Sequence, residues 1–173
     1  MPEHSYTSRR ELDQYGFHPA VTLLVPVAAV LLQTELPRLW RPLSILDLPL
    51  IIVIFFALAR RSPIAGTITG TFIGLLQDGL TNLHFGIYGI AKAIIGYLSA
   101  SIGFTVDVDN LINRIAMNFV FSLLQSGMIY VIFRFLVADP RPLEPWHELL
   151  RAVVNTVISV PIFLLLDRFR HRD

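Results

Sequence analysis

The chain has 173 residues, of which 54% are hydrophobic and only 16% are charged, and it contains no cysteine. This composition excludes an ordinary soluble domain, a disulfide scaffold and a thiolate metal site. The net charge is +1 and there is no basic run, so nothing supports nucleic-acid binding. The sequence therefore predicts an all-α polytopic membrane protein.

The apolar runs predict about six transmembrane helices in one bundle that forms a single domain over residues 1–173. We expect a cytoplasmic N-terminal segment at residues 1–18, where Ser8 to Glu11 fits a capping box. The predicted spans are residues 20–36, 45–59, 64–80, 85–104, 111–137 and 149–166, followed by a cytoplasmic tail at residues 167–173. Nearly the whole chain is used by these spans, which leaves no room for a soluble catalytic domain.

The distribution of arginines predicts that both termini are cytoplasmic. In that orientation, eight arginines lie in the inner segments and five in the outer ones, with Lys92 left in the membrane. Trp40 and Trp146 then lie at the outer interface, where indole rings are favoured.

The second predicted span opens with Asp47 and Pro49, which suit the first turn of a helix. We interpret Asp47 as a helix cap. Asp109 or Asn110 is expected to cap the fifth span in the same way.

The third and fourth spans are rich in glycine. Gly66, Gly70 and Gly74 recur every four residues and so form one flat stripe on a helix. Gly86, Gly89 and Gly96 give the fourth span further places of close approach. Since small residues allow helix backbones to pack closely in lipid, we expect either the Gly66, Gly70, Gly74 stripe or the glycine face of the fourth span to receive a partner's transmembrane helix.

Two charged residues lie within or near these spans. Asp78 is close to the outer end of the third span, and Lys92 lies inside the fourth. Intramembrane charges are costly and need a partner, so we expect an Asp78–Lys92 ion pair, with Asp47 as the competing partner. The pair could serve only to orient helices, or it could contact a substrate or a partner.

The last two spans each carry a polar stripe. Asn118, Ser122 and Gln125 align on the fifth span, and Arg151, Asn155 and Ser159 align on the sixth. Polar groups in lipid need partners, so these stripes are expected to face each other or to line a cavity in the bundle interior.

No catalytic or metal-binding constellation is present. The chain has no His-Glu-x-x-His motif and no phosphate-binding Gly-x-x-x-x-Gly-Lys loop, and its histidines lack ligand spacing. We therefore predict no enzymatic activity, no metal and no cofactor.

The stretch Gly70-Thr-Phe-Ile-Gly-Leu-Leu-Gln-Asp-Gly-Leu, followed by Gly86-Ile-Tyr-Gly and Gly96-Tyr97, resembles the MreD family of rod-shape-determining proteins. The size and the span pattern agree over essentially the whole chain, whereas the motif covers about thirty residues and includes Gly74, Leu75, Gln77, Asp78 and Gly86. The outer loop and both tails have nothing to match.

The resemblance implies a non-enzymatic, multi-pass component of the bacterial inner membrane that takes part in cell elongation and peptidoglycan synthesis. It implies MreC as the direct partner, RodA and its transpeptidase as possible partners, MreB as an indirect one, and membrane lipid around the bundle. The implied fold is similar to that of the S components of energy-coupling-factor transporters.

Two other functions remain open at this stage. An S-component-like subunit would bind a vitamin or a metal, but the first span has Ala28 and Ala29 without the Ala-x-x-x-Ala spacing of such subunits. A lipid-binding or flippase-like bundle could use Lys92 and Arg151 for headgroup phosphate.

Overall fold

A computed structural model describes residues 15–81, 84–137, 142 and 144–172. Within them, six α-helices follow one another along the chain. They are α1 (Pro19–Leu39), α2 (Leu48–Arg60), α3 (Pro63–Thr81), α4 (Ile87–Ile102), α5 (Leu111–Ile132) and α6 (Pro145–Asp167). A 3-10 helix at Arg41–Ile45 precedes α2, and a π-helical turn at Phe133–Val137 extends α5. The predicted capping box near Ser8 lies outside the described residues.

Helix α2 is the centre of the bundle. Twelve of its thirteen residues are buried, including Leu50, Ile51 and Ile54 at 0% exposure. It begins at Leu48 rather than at residue 45 because the Asp47 carboxylate accepts a hydrogen bond from the Leu50 amide (3.0 Å) and caps the helix. The prediction that Asp47 caps this helix is therefore confirmed.

Helix α1 lies at the periphery and is tied to the start of α2 by one side chain. The side-chain amide of Gln33 donates a hydrogen bond from Nε2 to the Leu46 carbonyl (2.7 Å), and its Oε1 accepts one from the Leu48 N–H (3.0 Å). These two bonds satisfy backbone groups on both sides of the Asp47 cap. Outward-facing Leu23, Leu24 and Leu32 are each more than half exposed, as expected of a helix surface that meets lipid.

Two short strands bring the ends of the described chain together. Strand β1 (Tyr15–Phe17) pairs antiparallel with β2 (Arg170–Arg172). Phe17 packs edge-on against Phe55 and Phe56 of α2, with ring centroids 5.7 and 4.9 Å apart. This pairing places both ends on the same side of the bundle.

The six predicted spans correspond to six helices. Judged by length and hydropathy, however, not all six helices are able to cross a membrane. Among the described residues, four segments meet that standard: Pro19–Leu39, Arg41–Arg60, Leu111–Val137 and Pro145–Asp167. Helix α4 is apolar but has only 16 residues, a length of about 24 Å. The count of six spans therefore stays a prediction.

Asn110 caps α5 through a hydrogen bond from the Ile112 N–H (2.9 Å), as expected for one of the two candidate residues. The start of this helix is thus fixed locally, by a residue next to its first turn.

Candidate functional site

The glycine stripe of α3 packs against α4 of the same chain. A Cβ added at Gly66 would overlap the carbonyl oxygen of Gly96, and one added at Gly70 would overlap that of Lys92. At Gly74 the overlap would be with the carbonyl oxygen of Tyr88. The two backbones are therefore in direct contact over about two turns of α3, at a separation that only glycine allows.

The complementary glycines of α4 complete this contact. Gly96 lies against the Gly66 carbonyl, and a Cβ at Gly89 would come within 2.8 Å of the Leu75 side chain. The structure thus corrects the expected role of these residues. The glycine faces are occupied by each other, and a partner's helix has no access to them while α3 and α4 are paired.

Gly86 has a different role from the other glycines of this pair. It is the N-cap residue of α4, has a φ of 101°, and an added Cβ would meet nothing within 4 Å. It is required for the left-handed turn that reverses the chain between the two helices.

Asp78 closes the same turn. Its carboxylate accepts hydrogen bonds from the backbone N–H groups of Gly86 (2.9 Å), Tyr88 (3.1 Å) and Gly89 (3.0 Å). Because Gly86 has no side chain to cap α4, Asp78 of the preceding helix satisfies the free amides at its positive end. The motif Gly-Leu-Leu-Gln-Asp at the end of α3 therefore fixes the start of α4, because its aspartate accepts hydrogen bonds from the backbone N–H groups there.

The expected ion pair between Asp78 and Lys92 is not formed. Lys92 is fully buried, and its ammonium group lies 3.0 Å from Asp47 Oδ2, so the competing partner is the actual one. The reason is that the Asp78 oxygens are already directed at the backbone of α4, whereas Asp47 projects into the bundle from the start of α2.

A polar network is built on the Asp47–Lys92 pair. The Lys92 ammonium also donates to Gln125 Oε1 (3.1 Å), and the Gln125 amide group donates to the same Asp47 oxygen. The Tyr88 ring covers the ammonium at 4.6 Å, a cation–π contact. We call Asp47, Lys92 and Gln125 the central clamp, since they join α2, α4 and α5.

Asn155 brings α6 into contact with the same network. Its carbonyl oxygen accepts from the Asp47 backbone N–H (2.8 Å), and its amide group donates to Ser122 Oγ (3.3 Å). The prediction that the two polar stripes face each other is confirmed for Ser122 and Asn155. Four of the six helices are thus joined through one buried carboxylate and its neighbours.

A second polar group lies towards the start of α6. Glu148 accepts hydrogen bonds from Ser126 Oγ (2.6 Å) and from Arg151 (3.3 Å). Arg151 is therefore paired on its own helix and is about one quarter exposed, rather than lying deep in the bundle.

Three other predicted residues are buried without joining the clamp. Ser159 donates to the Thr156 carbonyl of its own helix (2.7 Å). Among the residues that the structure describes, both polar atoms of the Asn118 side chain and the side-chain oxygen of Gln77 have no hydrogen-bond partner. Unsatisfied buried amides are costly, so Asn118 is a position where stability is lost.

One ion pair that was not predicted from the sequence lies at the opposite end of the bundle, where the Arg114 side chain is buried and the Asp167 side chain is 27% exposed. Arg114 makes two hydrogen bonds to Asp167 (2.7 and 3.2 Å) and lies over the rings of Phe55 and Phe163. The sequence held a signal for it, because Arg114 lies in the first turn of α5 and Asp167 is the last residue of α6, and the two helices run antiparallel in contact.

The described part of the chain contains no group of three or more histidine, cysteine, aspartate or glutamate residues that could hold a metal ion. The polar side chains of the central clamp bond to each other and to the backbone. The central clamp can therefore hold α2, α4 and α5 at fixed separations and rotations.

These features define a helical membrane protein whose interior is fixed by a glycine contact and a charged clamp. A comparison with known families gives a match to rod shape-determining protein MreD over residues 18–169. The chain belongs to the MreD family, a group of shape-determining structural components. No curated protein and no solved structure matches the chain.

Proposed function

We propose that this protein is a non-enzymatic, multi-pass component of the bacterial inner membrane that binds MreC and helps to control peptidoglycan synthesis during cell elongation. RodA and its transpeptidase are proposed as further members of the assembly, with MreB acting indirectly. The membership of the MreD family carries the proposal, because that family acts in determining rod shape.

The central clamp supports a scaffold role. Lys92 and Asp47 are both buried, and each directs its charge at residues of the same chain. A substrate-binding subunit would instead be expected to keep polar groups available to its ligand. Paired charges that join four helices are suited to a rigid body on which other membrane proteins assemble.

The proposal is tested by native mass spectrometry of the chain, purified from its own membranes in mild detergent. We expect a complex with MreC, a single-span protein with a large extracytoplasmic domain. A retained vitamin-sized ligand, or an ATPase together with a coupling subunit, would instead show an S-component-like transporter subunit.

Depletion and complementation in the native cell test the role in shape. Depleting the protein should make rods become round, and the wild-type chain should restore them. A Gly70→Ile variant, whose α3–α4 contact cannot form, should fail to do so. Normal rod shape and normal peptidoglycan incorporation after full depletion would contradict the proposal.

A further inference from the structure

A cleft opens between the 3-10 helix at Arg41–Ile45 and α6, and we call it the outer cleft. Its volume is about 320 Å³. Its lining is apolar and consists of Trp40, Pro42, Leu43, Ile45 and Leu46 on one side and Leu150, Val154 and Ile158 of α6 on the other. Leu46 at its floor is only 8% exposed, whereas Trp40 at its rim is 63% exposed. The outer cleft is therefore concave, unlike the flat outer face of a single helix.

The outer cleft is about as long as one leaflet of a membrane is thick. From Leu150 to Ile158, α6 rises about 12 Å. The hydrocarbon core of a bilayer is about 30 Å thick, so each leaflet contributes about 15 Å. A partner's transmembrane helix would cross both leaflets and would extend well beyond the inner end of this cleft. A single acyl chain that enters from the level of the headgroups matches its length.

An unpaired cation lies at the mouth of the outer cleft. Arg41 is exposed and stands between Trp40 and Pro42, which both line the cleft. Among the residues that the structure describes, no carboxylate is paired with Arg41, whereas Arg38 lies 2.7 Å from Glu35. In the predicted orientation this end of the bundle is on the outer side of the membrane, where arginines are disfavoured. An anion bound at Arg41 would offset that cost.

The combination of a cation with an apolar cleft indicates the chemistry of the occupant. A guanidinium group binds phosphate through two parallel hydrogen bonds. The indole ring of Trp40 lies beside Arg41 in the sequence, and such rings are favoured at the level of lipid headgroups. By contrast, the apolar groove around Gly79 of α3 has no arginine or lysine next to any of its lining residues in the sequence. The outer cleft therefore has a feature that distinguishes it from the lipid-facing surface elsewhere.

We propose that the outer cleft binds one phospholipid of the outer leaflet, with its phosphate on Arg41 and one acyl chain against Leu46 and Val154. The bound lipid bridges the 3-10 helix and α6 close to the point where Asn155 accepts a hydrogen bond from the Asp47 backbone N–H (2.8 Å). It thereby supports the start of α2, from which the central clamp is built. This inference is independent of the proposed binding of MreC.

The first test measures which lipid stays with the full-length chain. The protein is purified in mild detergent, stripped of loosely held lipid by prolonged washing, and examined by native mass spectrometry. We expect one phospholipid per chain in the wild type and a retained fraction at least tenfold lower in Arg41→Gln. The matched control is Arg38→Gln, three residues earlier, because Arg38 is already paired with Glu35. This control should retain the lipid as the wild type does.

The second test separates the headgroup from the acyl chains. Phosphatidylglycerol and diacylglycerol with the same acyl chains are added to the stripped protein. The wild type should bind at least tenfold more phosphatidylglycerol than diacylglycerol, whereas Arg41→Gln should bind the two equally. Val154→Trp should exclude both lipids because its side chain fills the cleft. The matched control is Val153→Trp, which places the same side chain at an exposed position outside the cleft and should leave binding unchanged.

Four results would overturn the proposal. Loss of all lipid from the wild type, or equal retention by the wild type and Arg41→Gln, would show that the cleft holds only exchangeable membrane lipid. Displacement of the phospholipid by excess inorganic phosphate would show a site for free anions. Loss of the lipid when MreC is bound would show that the cleft is a protein contact. Arg41→Gln should retain MreC as the wild type does, so failure of the lipid site and failure of the proposed function are recognised separately.

Discussion

Replacement of Lys92 by methionine is expected to destabilise the protein strongly. The Lys92 ammonium and the Asp47 carboxylate are 3.0 Å apart and buried. At an effective dielectric constant of about 20, that separation corresponds to about 5 kcal/mol of attraction, which offsets the cost of removing both charges from water. Lys92→Met keeps the length of the stem but leaves a buried carboxylate without its cation, so we expect a loss of about 3 to 5 kcal/mol.

The measurement is unfolding in mixed micelles as the fraction of SDS is raised, followed by tryptophan fluorescence. Four forms complete a double-mutant cycle: wild type, Lys92→Met, Asp47→Asn and the double variant. Asparagine can still cap α2 and still accept from Gln125, so Asp47→Asn mainly removes the charge. We expect the double variant to be milder than the sum of the single variants by at least about 2 kcal/mol.

Two controls make the cycle specific. Arg38 and Glu35 form an ion pair with side chains 73% and 57% exposed, so Arg38→Met should change the stability by less than about 0.5 kcal/mol. Lys92→Met combined with Asp78→Asn should be additive, because Asp78 bonds to backbone amides of α4. Additivity of the Asp47 and Lys92 changes would refute the clamp.

Three further changes test other parts of the structure by the same unfolding measurement. Gly70→Ile should abolish the cooperative unfolding transition, since its Cβ would overlap the Lys92 carbonyl, whereas Gly79→Ala should leave the transition unchanged. Equal transitions for the two variants would refute the close α3–α4 contact. Asp78→Leu should cost about 2 kcal/mol or more by leaving three amides of α4 unsatisfied, and an unchanged stability would show that water replaces the cap. Asn118→Leu should be neutral or stabilising by about 1 kcal/mol, and a clear loss would show that its amide binds a water or a ligand.

The MreD motif has a structural meaning that fits its place in the chain. Gly74 allows α3 to touch α4, Asp78 caps α4, and Gly86 turns the backbone between them. The motif therefore builds a helical hairpin. Recognition of the family from this stretch was confirmed by the match over residues 18–169.

Local patterns along the chain were sufficient to predict the helices, the caps of α2 and α5, and the family. Long apolar runs specify helices in lipid because backbone groups there must be satisfied within the segment. Asp47 and Asn110 bond to amides two or three residues away, so their roles follow from local order. The spacing of Gly66, Gly70 and Gly74 likewise determined that one face of α3 would meet another backbone closely.

The contacts between different helices could be identified only from the folded bundle. The sequence favoured Asp78 as the partner of Lys92, but the partner is Asp47, 45 residues away along the chain. It also could not show that the glycine stripe of α3 is filled by α4 of the same chain. Such pairings depend on the depth and rotation of each helix in the bundle, and these are set by packing over all the helices rather than by any local pattern.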